Sequence, residues 1–390
     1  MPDRPKSLLA RFTRHAVLLL AVTGVLAGCS TASRSGSTSS DSADLPPSAA
    51  AALVKYSQYG TPSYVGAAFN ASAAHGKTVW WVPNDTGNPF LAILGQNLTA
   101  ALSSQGVKVT SCDGQNNPAD TNGCINQAIA QHAAAIQVDG AEPKTYATQI
   151  TAAKAAGIPI FSGAAVDASD PLFPGLTGQS SQAFKLLGKL MADWITKDSG
   201  GSAHVLAITV PDVAGAAAEL AAFESESSTV CPKCEVTVKG ITLANWATDL
   251  APTTSAALIS DPKLSYVVPM FDPMAQFTDP AIQQAGRSGS VKVVTANGSL
   301  QQMQDLKSGS VVAAEVGDDL NAQGYIEADL ILRALNGQPQ PASFPVAPVR
   351  VFDESNVGNL GMTESAQASG AWYTSSPGAY VKFFAKVWKG

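Results

Sequence analysis

The chain has 390 residues, of which 45% are hydrophobic and only 14% charged, against about 25% charged in ordinary soluble proteins. That composition excludes a disordered chain and calls for a surface built largely from Ser, Thr, Asn, Gln and Gly. The net charge of −6, the isoelectric point near 5.2 and the absence of a Lys/Arg cluster after residue 15 exclude an electrostatic nucleic-acid binder. At roughly 150 residues per domain, about two domains are expected.

Arg4, Lys6, Arg11 and Arg14 make a basic start, and Ala16 to Val25 is an apolar run interrupted by Thr23 and Gly24. The run is too short for a membrane span of about twenty residues and reads as a signal peptide over 1–28. Leu26-Ala27-Gly28-Cys29, followed by Ser30, resembles the bacterial lipobox. This implies lipidation at Cys29 and an extracytoplasmic protein anchored to the bacterial cell membrane. An ordinary signal peptide with an incidental Cys is the alternative. Residues 29–76 then form a polar tether with a Pro46-Pro47 pair and an arm, helix-capable from Ala51 to Ala74, whose docking is open.

Beyond the arm the chain alternates strand and helix. Lys77 to Pro83 is a short β-rich run; Phe90, Leu91, Leu94, Leu98 and Leu102 recur at helical spacing. Strands are expected at 107–110, 135–138 and 158–161, with helices over 125–132, 143–156 and 182–197. The cycle restarts with strands at 205–210, 235–238, 266–270, 291–295 and 311–316, separated by helices near 214–228, 247–260, 274–288 and 299–308. Such alternation predicts an α/β fold of two doubly wound parallel-sheet lobes. Open parallel sheets bind ligands at the C-terminal ends of their strands. The residues there are Asn84, Asp85, Asn88, Phe90, Asp139 and Glu142 in the first half, and Asp212, Trp246, Phe271, Asp272, Asn297 and Glu315 in the second. Amides, carboxylates and aromatic faces together suit a polyhydroxylated ligand. Any single Asn or Asp among them could instead be a helix cap or turn residue, and Trp246 could belong to the core.

Four cysteines remain after Cys29, an even set that outside the cytoplasm reads as disulfides. Cys112 with Cys124 would close a short loop. Cys231-Pro232-Lys233-Cys234 precedes a strand rather than opening a helix, which favours a structural disulfide over a redox pair. Zinc would need two further ligands. His75, His132 and His204 sit in no nucleophile or metal motif, and no GxSxG, P-loop or HExxH occurs. No catalysis, cofactor or metal is expected.

Asn88-Pro89-Phe90, Gln115-Asn116-Asn117-Pro118, Ala156-Gly157-Ile158-Pro159, Asp272-Pro273-Met274-Ala275, Val294-Thr295-Ala296-Asn297-Gly298 and Gly324-Tyr325-Ile326-Glu327-Ala328-Asp329 fall in an order and spacing that resembles the type I periplasmic sugar-binding proteins. These are the ribose- and galactose-binding components of ABC importers. The resemblance runs from about Lys77 to Val351. It implies two lobes joined by a three-segment hinge, the first from 77–179 plus 318–345 and the second from 180–317 plus 346–390. The ligand contacts it implies are Asn88, Phe90, Trp246, Phe271, Asn297 and Glu315, with Asp272 able to add a carboxylate beside Phe271. The family's Asp-Arg pair falls on Ala164 and Ala165 and its second Arg on Ala217, so the pocket is expected to be less charged than a ribose site.

The implied function is a monomeric, lipid-anchored receptor for a sugar, polyol or amino-sugar, serving an ABC transporter permease. Two alternatives stand beside it. One is a sensor for a membrane signalling partner, the other a glycosidase using Asp272 and Glu315 as its carboxylate pair.

Overall fold

The computed structural model describes residues 45–62, 66–341, 343 and 345–390. Cys29 and the signal segment lie outside the described residues. β1 (Thr78–Pro83), β2 (Lys108–Ser111), β3 (Ala135–Asp139), β4 (Ile160–Gly163) and β5 (Gly178–Ser180) form one sheet in the order β2-β1-β3-β4-β5, with every pairing parallel. β6 (His204–Thr209), β7 (Glu235–Gly240), β8 (Tyr266–Pro269), β9 (Lys292–Asn297), β10 (Val312–Asp318) and β11 (Val349–Asp353) form a second sheet in the order β11-β10-β9-β8-β6-β7. Its pairings are parallel except that β11 runs antiparallel to β10. The strand order reverses between β1 and β3 and again between β6 and β8. Each sheet therefore has its own switch point, where a crevice opens beyond the strand ends.

The first sheet is flanked by α2 (Pro89–Ser103), α3 (Pro118–Ala130) and α4 (Ala147–Ala155), the second by α5 (Phe184–Ser199), α6 (Ala214–Val230), α7 (Trp246–Ser260), α8 (Asp272–Gln284) and α9 (Leu300–Ser308). Local chemistry sets several starts. The Asn88 side chain accepts from the Phe90 N–H at 2.9 Å and caps α2, and Asn117 does the same for α3 through Ala119 at 2.8 Å. Each is followed by proline at the first helical position, where a missing N–H costs nothing. α3 consequently begins seven residues before the expected Ile125, because its first two turns are polar and carry no apolar period.

α10 (Leu320–Leu335) returns from β10 to the first lobe and packs along α2. Fifteen of its sixteen residues are buried, so it behaves as a core helix rather than an amphipathic one. Gly324 makes the approach possible, since a Cβ there would meet Asn97 Cβ and the Leu98 backbone nitrogen at 2.7 Å.

The tail does not stay with the second lobe. β11, α11 (Glu354–Val357) and α12 (Glu364–Ala368) lie there, with Phe352, Leu360 and Trp372 in the second-lobe core. α13 (Ala379–Val387) crosses back, and Tyr380, Phe384 and Trp388 join the first-lobe core with Val79, Leu98 and Tyr325. Trp388 stacks on Tyr325 with ring centroids 5.9 Å apart. The assignment of 346–390 to the second lobe thus fails for α13, whose aromatic residues find their apolar partners on α10.

The arm docks as well. α1 (Pro47–Tyr56) lies on the second lobe, with Leu53 packed among Leu187, Trp194 and Val351, while Phe69 and Ala71 enter the first-lobe core.

Both cysteine pairs are bonded, Cys112 to Cys124 and Cys231 to Cys234. Cys231 caps the C-terminal end of α6, where the helix dipole would disfavour a thiolate. The pair packs against Ala49 and Leu45, a structural setting. Among the described residues no group of three or more His, Cys, Asp or Glu is placed to hold a metal. Cys112–Cys124 ties the end of β2 to α3. Replacing both cysteines with serine should destabilise the fold by about 3 kcal/mol in the loop-entropy model. Urea unfolding of the variant beside the parent chain measures this, and an unchanged midpoint would contradict it.

Candidate ligand-binding cleft

The C-terminal ends of the two sheets converge on one cavity. From the first lobe it is lined by Asn84, Asn88, Phe90 and Leu91 after β1, Gly140 after β3 and Ala164 after β4. From the second it is lined by Phe184 at the start of α5, Val213 after β6, Leu243 and Trp246 after β7, Phe271 and Pro273 after β8, and Asn297 at the end of β9. Five of the seven expected contacts therefore meet there: Asn88, Phe90, Trp246, Phe271 and Asn297. Phe90 and Trp246 come from opposite lobes.

The loops that carry these residues are braced. Asp113 accepts from the Thr86 N–H at 3.1 Å and the Thr86 hydroxyl at 2.6 Å, and Asn84 Nδ2 donates to Asn116 Oδ1 at 2.8 Å. Desolvation pushes the Asp113 carboxyl up, but the bonds from Thr86 and the Gln115 N–H together outweigh it and lower it. Gln115 and Asn116 have φ of 47° and 53°, and the Cys112–Cys124 bond holds this bend from behind. On the other lobe, Asp212 accepts from the Leu243 N–H at 3.3 Å and positions the turn that leads into Trp246. Asp85 accepts from the Gly87 N–H at 2.7 Å, and Glu142 pairs with Lys144 at 2.7 Å. These strand-end acids are spent on loop structure.

Asp272 and Glu315 do not line the aromatic cavity. Glu315 is fully buried on β10, where Oε1 accepts the Gly298 N–H at 2.7 Å. Asp272, at the first position of α8, is buried and accepts the Ser299 N–H through Oδ2 at 2.6 Å, at the wall of a separate groove rather than of the cavity. Their other oxygens, Asp272 Oδ1 and Glu315 Oε2, are buried with no hydrogen-bond donor, and one proton shared between the two carboxyls satisfies both. Burial pushes Glu315 well above the carboxylate range, and the charge of Asp272 pushes it further; burial raises Asp272 to about 6. This pair is a structural latch joining β10 to the starts of α8 and α9. Gly298 completes it, with φ of 74° and the Tyr373 hydroxyl occupying the space of a Cβ. A glycosidase needs its two acids exposed to the substrate, which these are not.

Asp139, at the end of β3, is equally internal. It accepts from Trp81 Nε1 and Gln137 Nε2, each at 2.7 Å, and burial raises it to about 6. The apolar lining residues Leu91, Phe184, Val213 and Leu243 carry no polar signal in the sequence. Only their positions just after strand ends mark them.

A profile of the periplasmic binding protein domain matches residues 79–339, which spans both sheets up to the end of α10. The chain belongs to the periplasmic binding protein family. Its members are binding proteins rather than enzymes, and the two parallel-dominated sheets with flanking helices are those of the type I architecture. Solved structures share the fold. A sugar ABC transporter from Yersinia enterocolitica subsp. enterocolitica 8081 superposes with a TM-score of 0.69 at 19% identity, over 83% of this chain and 100% of that one. An ABC transporter solute-binding protein from Agrobacterium vitis, bound to α-D-tagatopyranose, gives a TM-score of 0.66 at 21% identity over 73% and 96% of the two chains. The 5-methylthioribose transporter solute-binding protein from Thermotoga lettingae gives 0.66 at 20% over 75% and 92%. No curated protein matches the chain in sequence.

Proposed function

We propose that this periplasmic binding protein captures a small sugar or sugar-like polyol in the cleft between its lobes and delivers it to an ABC importer permease. Lipidation at Cys29 would hold it on the outer face of the cell membrane as a monomeric receptor. The observation that carries the reading is the cavity at the C-terminal ends of both sheets, lined by Phe90 and Trp246 from opposite lobes and by the amides Asn84, Asn88 and Asn297. Flat aromatic faces suit the C–H side of a sugar ring and amides suit its hydroxyls. Solved relatives of the fold, at 18% identity, carry allitol and L-arabinofuranose.

As it stands the cavity is about 70 Å³, room for a few water molecules and below the few hundred Å³ of ordinary small-molecule sites. Ligand entry therefore requires the lobes to part or the aromatic walls to swing. A thermal-shift screen against sugars, polyols and amino-sugars tests the reading. A ligand at a hundred times its Kd should stabilise the chain by about 2.7 kcal/mol. No shift with any member of the panel would contradict it.

A further inference from the structure

The cavity is short of the chemistry that a fully hydroxylated sugar demands. Among the described residues none of its lining side chains is charged. Ala164 lines it and Ala165 is buried beside it, where the resemblance implied a charged pair. Ala217, implied to replace an arginine, is exposed on α6 and does not line the cavity; Val213 does.

The amides are partly used already. Asn88 Oδ1 caps α2 by accepting the Phe90 N–H, and Asn84 Nδ2 donates to Asn116. Asn297 lies against Asp318 behind the wall, an interaction that draws on its side chain. One further donor is unspent: Trp246 Nε1 is buried and has no partner. A few single-ended polar groups therefore face an apolar corner in which Phe184 and Phe271 meet with ring centroids 6.4 Å apart, next to Leu243. Each hydroxyl of a ligand placed in that corner would lose its water bonds without replacement.

Resting on the reading of this cavity as the ligand site, we infer that the ligand is an uncharged molecule with two ends. One carries a few hydroxyls for Trp246 Nε1 and the amides; the other is apolar and fills the corner of Phe184, Phe271 and Leu243. Deoxy sugars and thioether- or alkyl-substituted sugars have this form. Asp272 and Asp318 are buried and do not line the cavity, with no Lys or Arg paired to them among the described residues. Among the described residues the cavity wall offers no cation to hold a phosphate or carboxylate and no carboxylate to hold an amine.

Calorimetric titration of the purified chain with matched pairs tests this: 5-methylthioribose against ribose, and 6-deoxygalactose against galactose. Glucosamine and ribose 5-phosphate serve as cationic and anionic probes. In at least one pair the substituted member should bind about tenfold more tightly than its hydroxylated parent. Leu243→Asn, on a half-buried turn, should reduce that advantage to about threefold or less without altering the melting temperature. If ribose or galactose binds and in neither pair the substituted member binds more tightly than its parent, the inference falls while the sugar-capture reading stands. Tighter binding of glucosamine or ribose 5-phosphate than of any neutral probe overturns it as well. If no member of either pair binds at about 10 mM, the inference falls, and the sugar-capture reading falls with it only where the wider panel is silent too.

Discussion

Asp329→Ala should destabilise the fold by about 3–5 kcal/mol, the cost of removing one partner from a buried ion pair. Asp329 and Arg333 stand one turn apart on α10, both buried, with Nε donating to Oδ2 at 2.6 Å. The other carboxylate oxygen accepts from Trp388 Nε1 at 2.8 Å. Arg333 also donates to the Ala67 carbonyl at 2.8 Å and lies over the Phe69 ring at 4.7 Å. The pair therefore ties α10 to the tail and to the end of the arm in one low-dielectric cluster. Asp329→Asn, which keeps acceptor and shape, should cost less than the alanine change. Urea unfolding of both variants measures the difference. A loss below about 1 kcal/mol for Asp329→Ala, the scale of an exposed pair, would contradict this description.

Acidification should stabilise the protein. Burial raises Asp318, Asp319 and Asp279 to about 7, Asp139 and Asp272 to about 6, and Glu219, Glu315 and Glu327 well above the usual carboxylate range. Charges within the group reinforce the effect: Asp318 and Asp272 raise Glu219, and Asp139 raises Glu327. Near the lobe crossing, Glu219, Asp272, Glu315, Asp318, Asp319 and the Tyr373 hydroxyl act on one another in this way. Among the described residues none of the six is in an ion pair with Lys or Arg.

The sign follows from linkage. A carboxyl whose folded pKa exceeds its unfolded value binds its proton more tightly in the folded state, so stability rises as pH falls through the interval between the two. Here that interval runs from about 7 down to the ordinary carboxylate value near 4. Glu219, Glu315 and Glu327, raised further, add to the same trend toward higher pH. Asp113 and Asp167, lowered by hydrogen bonds that outweigh desolvation, act in the opposite sense and only below about 4. The melting temperature should therefore be higher at pH 5.5 than at pH 8, by about 5 °C or more for a gain of several kcal/mol. A scan that is flat across this interval, or that falls toward acid, would contradict it.

The alternation of buried strands with helices was legible because each central strand is a short apolar run closed by a turn residue. β5 was not, since Gly178-Gln179-Ser180 offers no apolar signal, nor was β11, which lies alone after a long connection. The reversed direction of β11 and the return of α13 depend on partners far away in sequence, which no local period encodes. Within the site, Asn88, Phe90, Trp246, Phe271 and Asn297 could be found because polar and aromatic residues stand out at strand ends. Asp272 and Glu315 stand out equally, yet they serve each other and the Gly298 turn. A carboxylate near a strand end draws notice as readily as an amide or an aromatic ring there, and only the neighbours distinguish a ligand contact from a buried latch.

The most direct test is to titrate the strongest ligand from the panel into the chain and into Trp246→Ala, with both melting temperatures recorded. Trp246 closes the cavity from the second lobe opposite Phe90, and it packs only at the margin of the second-lobe core. Burying an aromatic face against ligand should be worth about 1.5–3 kcal/mol, so affinity should fall about tenfold or more at one decade per 1.4 kcal/mol, with the fold retained. Equal affinity of the two proteins would contradict the placement of the ligand between Phe90 and Trp246.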